Sequence, residues 1–213
     1  MMGVITALEI QKRNKERVNV FIDGEYAFSL TLIEAARLKK GQQLTEQDIA
    51  ELCRVDDVHR AVDHAVRFLS YRPRSGKEVR NNLSKKFDEV VIEAAIERLN
   101  ALGYLDDEAF AKYWVENRHE FNPRGVMALR YELRQKGIAE SIIQSVLDSY
   151  DTYDAAYRAA QNKVRSLKVA DRQTFYQKVG SYLQRRGFAY DVIRDVLQQL
   201  ENELTFKQDD EQD

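Results

Sequence analysis

The sequence holds few residues whose types and spacing could carry catalysis. The three histidines do not form a spaced set of metal ligands: His59, His64 and His119. One cysteine, Cys53, cannot build a structural zinc site, and the Gly/Lys/Ser-Thr spacing of a phosphate-binding loop is missing. The acidic run Asp106–Glu108 stands where a helix is predicted to begin, a place where carboxylates cap the backbone. We therefore predict a protein that is not an enzyme and uses no cofactor or metal.

Basic residues, by contrast, are concentrated in three stretches of a chain that is otherwise near neutral. Arg67–Lys86 holds seven Lys/Arg against one acid, Arg118–Lys136 holds five against two, and Lys163–Arg186 holds seven against one. The net charge of the whole chain is only −2. A local cationic excess of this kind suits a polyanion or the acidic surface of a protein assembly.

The candidate binding residues lie on the second helix of each predicted repeat and just before it. We expect stacked repeats to align Lys86, Lys136 and Arg186 in one positive stripe that faces the partner, while the acidic third helices face away from the partner or meet basic lobes on it. Any single charge of this kind is more often a solvated helix face or a partner of the helix dipole. Taken together they predict a filament-binding or DNA-binding surface made of Arg72, Arg74, Lys77, Arg80, Lys86, Arg124, Arg130, Arg134, Lys136, Arg172, Lys178, Arg185 and Arg186.

These basic stretches belong to a sequence repeat with a period of 50 residues. Three apolar columns keep this offset without a gap: Val79/Leu129/Val179, Leu83/Leu133/Leu183 and Ile96/Val146/Val196. A fixed period of this size is typical of stacked helical repeats, in which no unit buries its own apolar face alone. We predict a mainly α fold, in which three tandem three-helix repeats form a curved solenoid after a small β-meander and helix unit.

Local signals place several helix boundaries. Ser75 and Glu78 have the spacing of a capping box. Gly103 is expected to end the third helix of the first repeat, and Asp106 or Asp107 to cap the next helix. Asn122-Pro123 is expected to cap and open the second helix of repeat two, because proline is well accommodated at the first helical position.

The N-terminal segment has a different pattern. Apolar and β-branched stretches on either side of Asp23-Gly24 predict a hairpin, within a three-stranded antiparallel meander. A helix is predicted over Thr31–Lys39, and Thr45 is the expected N-cap of another. The predicted organisation is an N-terminal unit, three repeats and a disordered acidic tail, over residues 1–54, 55–105, 106–152, 153–204 and 205–213.

Three strings in register resemble the RecX regulatory proteins. Phe68-Leu69-Ser70-Tyr71-Arg72-x-Arg74-Ser75 and its continuation to Leu83 resemble the first-repeat motif of that family. Leu102-Gly103-Tyr104-Leu105-Asp106-Asp107 is similar to the segment that follows, and Glu132-Leu133-x-x-Lys136-Gly137-Ile138 resembles the second-repeat motif. The strand unit resembles that of the longer members of the family.

The resemblance implies a modulator of the RecA recombinase in recombination, DNA repair and the SOS response. Such a protein binds in the groove of the RecA–single-stranded-DNA filament and limits its assembly or activity, with no catalytic residues. Two alternatives remain open from the residues alone: a sequence-independent DNA-binding module and a general protein-binding helical scaffold. Because no apolar run approaches the ~20 residues that span a bilayer, we also expect a soluble, cytoplasmic protein, and we expect a monomer.

Overall fold

The structure, a computed structural model, describes residues 2–167 and 172–209. The chain divides into two compact units, Met1–Leu105 and Asp106–Asp213. The first unit combines an antiparallel sheet with helices, and the described part of the second unit is built from helices. The predicted mainly helical architecture, with helical repeats behind a small strand unit, is confirmed.

A four-stranded antiparallel sheet, in the order β3-β2-β1-β4, opens the first unit. The strands are β1 (Met2–Ile10), β2 (Arg17–Ile22), β3 (Glu25–Thr31) and β4 (Gln43–Thr45). The predicted hairpin joins β2 to β3, and its turn residues Asp23 and Gly24 have φ values of 49° and 89°, as a two-residue turn requires. The prediction of three strands was wrong, because β4 has only three residues and is too short for an alternating pattern to reveal it.

The predicted helix Thr31–Lys39 was too long. Helix α1 (Leu32–Ala35) is a single turn capped by Thr31. The chain then turns through Gly41 at a φ of 86°, and the Gly41 N–H donates to the Ile5 carbonyl at 2.8 Å. This bond brings β4 alongside β1, so the segment after α1 leads into the sheet and does not continue the helix.

Helix α2 (Glu46–Leu69) connects the sheet to the first repeat without a break. Its N-cap is Thr45, as predicted, and Asp48 completes a capping box with it. No glycine or proline interrupts the 24 residues of this helix. The N-terminal half packs on the core of the sheet, and the C-terminal half packs on the core of the first repeat.

The first repeat is completed by α3 (Gly76–Leu83) and α4 (Glu89–Ala101). The predicted capping box is confirmed, because Ser75 Oγ accepts from the Glu78 N–H at 3.3 Å while the Glu78 carboxylate accepts from the Ser75 N–H. Gly103 follows α4 at a φ of 72°, the left-handed conformation expected of a C-terminal cap.

The helices of the second unit follow the same plan. They are α5 (Asp107–Phe121), α6 (Val126–Gln135), α7 (Glu140–Asp148), α8 (Thr152–Arg165), α9 (Arg172–Arg185) and α10 (Tyr190–Asp209). Asp106 caps α5, as one of the two predicted candidates. The assignment of Asn122-Pro123 to the start of α6 was wrong: Asn122 is the C-cap of α5, and Gly125 is the N-cap of α6 at the position equivalent to Ser75.

Burial confirms the 50-residue period. Two of the three predicted columns are fully buried in all three repeats: Val79/Leu129/Val179 and Leu83/Leu133/Leu183. In the third column, Val146 and Val196 are buried and Ile96 is partly buried. Gly137 and Gly187 end the second helices of repeats two and three at φ values of 81° and 82°. The chain therefore repeats its turns as well as its core.

Helix α10 continues to Asp209, into the predicted tail 205–213, and the last four residues of that tail lie outside the described residues. Within the described part of the chain, no helix is long and apolar enough to cross a membrane. The same residues include no group of three or more His, Cys, Asp or Glu that could hold a metal ion.

Candidate interaction surface

Two glycines let repeats two and three approach closely and so bring basic residues together. The Gly125 N–H donates to the Arg186 carbonyl at 2.9 Å. A Cβ at Gly125 would lie 2.0 Å from the Gly187 carbonyl oxygen, so only glycine permits this approach. Gly187 in turn lies against the backbone of Ala128. Arg124 and Arg186, each one residue before a contacting glycine, are thereby fixed near each other.

Arg186 is half-buried against the chain ahead of α6. Its Nη1 donates to Asn122 Oδ1 at 2.6 Å and to the Pro123 carbonyl at 2.9 Å. Its guanidinium lies 4.6 Å from the centroid of the Tyr182 ring. Burial lowers the pKa of Arg186, and the neighbouring positive charge of Arg124 lowers it further, although a guanidinium stays charged at neutral pH. Two like charges are therefore held side by side.

Glu132 on α6 contacts Trp114 and two further arginines. Its Oε2 accepts from Trp114 Nε1 at 2.8 Å and from Arg118 Nε at 2.7 Å, and Arg124 Nε lies 3.7 Å from its Oε1. The Arg118 guanidinium and the Lys136 amine lie 4.5 and 4.7 Å from the centroid of the Trp114 ring. These distances are typical of cation–π contacts, so the ring and the carboxylate fix the cations in place.

We call these five half-buried residues the unit 2 cationic cluster: Arg118, Arg124, Lys136, Lys163 and Arg186. Lys163 belongs to it through the Tyr182 ring, whose centroid lies 5.6 Å from Nζ. Arg124, Lys136 and Arg186 are among the residues predicted from the sequence, whereas Arg118 and Lys163 are not. The spacing of Trp114 and Arg118, one helical turn apart, was a signal that could have found the first of these.

In the first unit, Arg72 and Arg74 lie beside the start of α3. Arg72 Nη2 contacts Glu78 Oε1 at 2.9 Å. The Arg74 guanidinium lies 3.6 Å from the centroid of the Phe68 ring, and its Nε donates to the Phe68 carbonyl at 3.1 Å. Burial, and then the charge of Arg72, lower the pKa of Arg74. Both arginines are thus ordered by contacts within the repeat.

Four other predicted residues pair with the third helix of their own repeat. Arg80 bonds Glu89 and Glu93 on α4, with 2.9 Å between Nη2 and Glu93 Oε2. The equivalent contacts in the second unit are Arg130 with Glu140 and Gln144, Arg134 with Glu140, and Arg172 with Glu201. The acidic residues of the third helices therefore contact the basic second helices of their own repeats. Pairing of second with third helices offsets much of the local positive charge.

The remaining predicted residues are exposed. Lys77, Lys86, Lys178 and Arg185 form no ion pair with any residue in the ranges that the structure describes. Lys86 lies in the first unit near His64: burial lowers the pKa of the His64 imidazole, and the charge of Lys86 lowers it further. The structure therefore sorts the thirteen candidates into a half-buried cluster, ordered arginines beside α3, helix-to-helix ion pairs and solvated charges.

Models of one protein family match most of the chain. The regulatory protein RecX N-terminal domain matches residues 3–45, and the first, second and third RecX three-helix domains match residues 61–99, 106–147 and 149–197.

Similar proteins bear the same family name. A regulatory protein RecX of Bacillus velezensis is 39% identical over 209 residues, which are 95% of this chain and 79% of that protein. One of Clostridioides difficile is 32% identical over 206 residues, covering 94% and 97% of the two chains. A crystal structure of regulatory protein RecX matches with a TM-score of 0.76 and 28% identity over 91% of this chain and 98% of that one. RecX from Lactobacillus salivarius matches 69% of this chain with a TM-score of 0.61 and 25% identity, over 98% of that structure.

Proposed function

The chain belongs to the RecX family of regulatory proteins, and we propose that it regulates the RecA recombinase without catalysing a reaction. In this proposal the protein acts as a cytoplasmic monomer. It binds in the groove of the filament that RecA forms on single-stranded DNA and limits the assembly or activity of that filament. The observation that carries the proposal is the unit 2 cationic cluster.

The cluster fits an acidic protein surface because its charges are already positioned. The Glu132 carboxylate and the Trp114 and Tyr182 rings hold the side chains in place, so less side-chain freedom is lost when a partner binds. Fixed positive charge also speeds encounter with an acidic partner.

A filament presents the same subunit many times, which favours a ligand that carries several binding surfaces. Both units of this chain have basic residues on a second helix, so one contact raises the effective concentration of the next. A protein that binds one state of the filament more tightly than another shifts the assembly equilibrium of the filament, and the difference between the two affinities sets the size of the shift.

Sequence-independent binding of single-stranded DNA is the second candidate function. The rings of Trp114 and Tyr182 lie among the cations of the cluster, and nucleic-acid grooves combine basic and aromatic side chains. Binding of this kind falls steeply with salt, because each phosphate contact releases counterions.

The test compares the wild type with the double variant Lys136→Gln/Lys163→Gln. Glutamine is neutral, so this variant removes two positive charges from the cluster and introduces no negative charge. RecA ATPase on single-stranded DNA is measured against the concentration of each protein. We expect the concentration that gives half the effect to rise by about tenfold, as expected when contacts with an acidic surface are removed.

Lys40→Gln/Lys112→Gln is the matched control, because it removes the same charge from exposed sites outside the cluster. An equal change in both double variants would overturn the assignment of the cluster. A gel shift on naked single-stranded DNA is run in parallel over a range of salt concentrations. Tight, salt-sensitive binding without RecA, together with no effect on the RecA ATPase, would support the DNA-binding candidate.

A further inference from the structure

The first unit contains a cleft of about 940 Å³ between α2 and the sheet, which the proposed function does not use. One wall is a single face of α2, whose lining side chains recur every three or four residues from Cys53 to Arg67. The facing wall is formed by β3 and α1. At about 1.5 Å per helical residue, the α2 wall is about 21 Å long, which an extended chain of about six residues would span.

The wall opposite α2 exposes apolar side chains. Tyr26, Leu32 and Ile33 line the cleft with 58%, 45% and 69% of their surfaces exposed. Single exposed apolar residues need no explanation, but several along one cleft are typical of a binding surface. This exposed apolar wall favours a ligand with apolar side chains.

The two walls are already joined at one point. Asp56 on α2 accepts from the Thr31 N–H at 3.0 Å and from Arg17 Nη2 at 2.8 Å. Arg17 Nη2 also donates to the Ser29 carbonyl of β3 at 3.0 Å. These bonds occupy backbone groups of β3 that an added strand would need. A ligand in the cleft is therefore recognised through its side chains instead of by extending the sheet.

The charges of the cleft are unevenly compensated. Near the sheet, Asp56 pairs with Arg17, and Asp57 pairs with Arg60. At the other end of the cleft, Arg67 near the C-terminus of α2 and Lys86 just after α3 are exposed cations.

Within the described ranges, neither of these two cations forms an ion pair. Both lie near His64, whose ring is 6.3 Å from that of Phe87. Asp63, one turn before Arg67, is the carboxylate on that stretch of α2, so this end of the cleft keeps an excess of positive charge.

We propose that this cleft binds an extended segment of a partner protein that presents apolar side chains to Tyr26, Leu32 and Ile33 and a carboxylate to Arg67 and Lys86. The complementarity of charge at one end and of apolar surface along the opposite wall argues for this occupant. The site is separate from the unit 2 cationic cluster and does not depend on the function proposed for it.

The probe is a fluorescein-labelled peptide of eight residues that alternates glutamate with isoleucine and phenylalanine. Its binding to the full chain is followed by fluorescence anisotropy, and the site is mapped by amide chemical shifts. We expect saturable binding, with the largest shifts at residues 26–33 and 63–67 and at Lys86 and Phe87. Arg67→Glu/Lys86→Glu and, separately, Ile33→Asp should each weaken binding at least about tenfold.

Lys15→Glu/Lys40→Glu provides the matched control, since it makes the same charge change on exposed residues of the same unit outside the cleft. Far-UV circular dichroism confirms that each variant remains folded. The proposal fails if the peptide does not bind, if the control weakens binding equally, or if the shifts map elsewhere. It also fails if a peptide with lysine in place of glutamate binds as tightly, or if an oligothymidylate gives the same shifts.

Discussion

Asp56 joins the sheet to α2 and is only 3% exposed. Its carboxylate accepts from Arg17 Nη2 at 2.8 Å and from the Thr31 N–H at 3.0 Å. Asp56→Ala would leave both donors without their acceptor and Arg17 without its counter-charge. We expect a loss of about 3 kcal/mol in the free energy of unfolding, measured by urea denaturation.

Asp57→Ala is the control for this prediction, because Asp57 forms an exposed pair with Arg60. Removing that pair should change the free energy of unfolding by less than about 1 kcal/mol. Equal losses in the two variants would show that the buried network contributes no more than a surface ion pair.

Tyr150 should make the stability of the chain depend on pH in the alkaline range. Its hydroxyl donates to the Arg124 carbonyl at 2.8 Å, and burial raises its pKa to about 12. In the unfolded chain tyrosine titrates near pH 10, so between about pH 10 and 12 only the unfolded state loses this proton. The stabilisation is fully present below pH 10 and falls as pH rises towards 12.

The variant Tyr150→Phe tests this prediction. It should have a shallower decline of melting temperature between pH 10 and 12 than the wild type, because the residue no longer titrates. Parallel curves for the two proteins would mean that Tyr150 ionises equally in the folded and unfolded states.

At the scale of elements, the contact between α6 and the turn after α9 depends on Gly125. Gly125→Ala would place a Cβ 2.0 Å from the Gly187 carbonyl oxygen and force the two repeats apart. We expect the free energy of unfolding to fall by more than about 2 kcal/mol, measured by thermal and urea unfolding.

Gly180→Ala is a matched change within α9. A Cβ there would meet Leu197 Cδ1 at 3.5 Å, an ordinary contact, and alanine is the better helix former. This variant should be neutral or more stable by up to about 1 kcal/mol. A Gly125→Ala protein as stable as Gly180→Ala would disprove the close approach.

The sequence predicted elements wherever a local signal recurs. The Ser75 capping box and the Asp23-Gly24 hairpin follow from spacing within a few residues. The apolar columns follow from the recurrence of the same residue types every 50 residues. β4 was missed because its pairing with β1 joins residues about 40 apart and adds only three residues to the sheet. The cap of α6 was missed because proline is a common first helical residue, whereas here the contact with Gly187 decides the boundary.

The candidate surface was predicted in composition but not in arrangement. Three of the five cluster residues were among those predicted. The partners of the ion-paired arginines lie on other helices, so the pairing of Arg80 with Glu93 depends on how α3 packs against α4. The unit 2 cationic cluster depends in the same way on the approach of two glycines 62 positions apart in the chain. Spacing along a single helix can predict neighbours on that helix, such as Trp114 and Arg118, but not contacts between helices.

For the whole molecule, the two compact units predict two groups of amides with separate stabilities. Hydrogen exchange reports the free energy of each cooperative unit. Asp56→Ala should speed exchange in the core of Met1–Leu105 and leave the slow amides of α8 and α9 unchanged, and Gly125→Ala should do the reverse. If either substitution accelerates all slow amides equally, the chain opens as a single unit.

Because α2 is continuous, it connects the N-terminal sheet rigidly to the first repeat. A helix of 24 residues that is held in two cores cannot bend freely between them. A fluorophore fixed to β2 would therefore tumble with α3 and α4, and the decay of its polarisation would report the rotational drag on that repeat when a large assembly captures it.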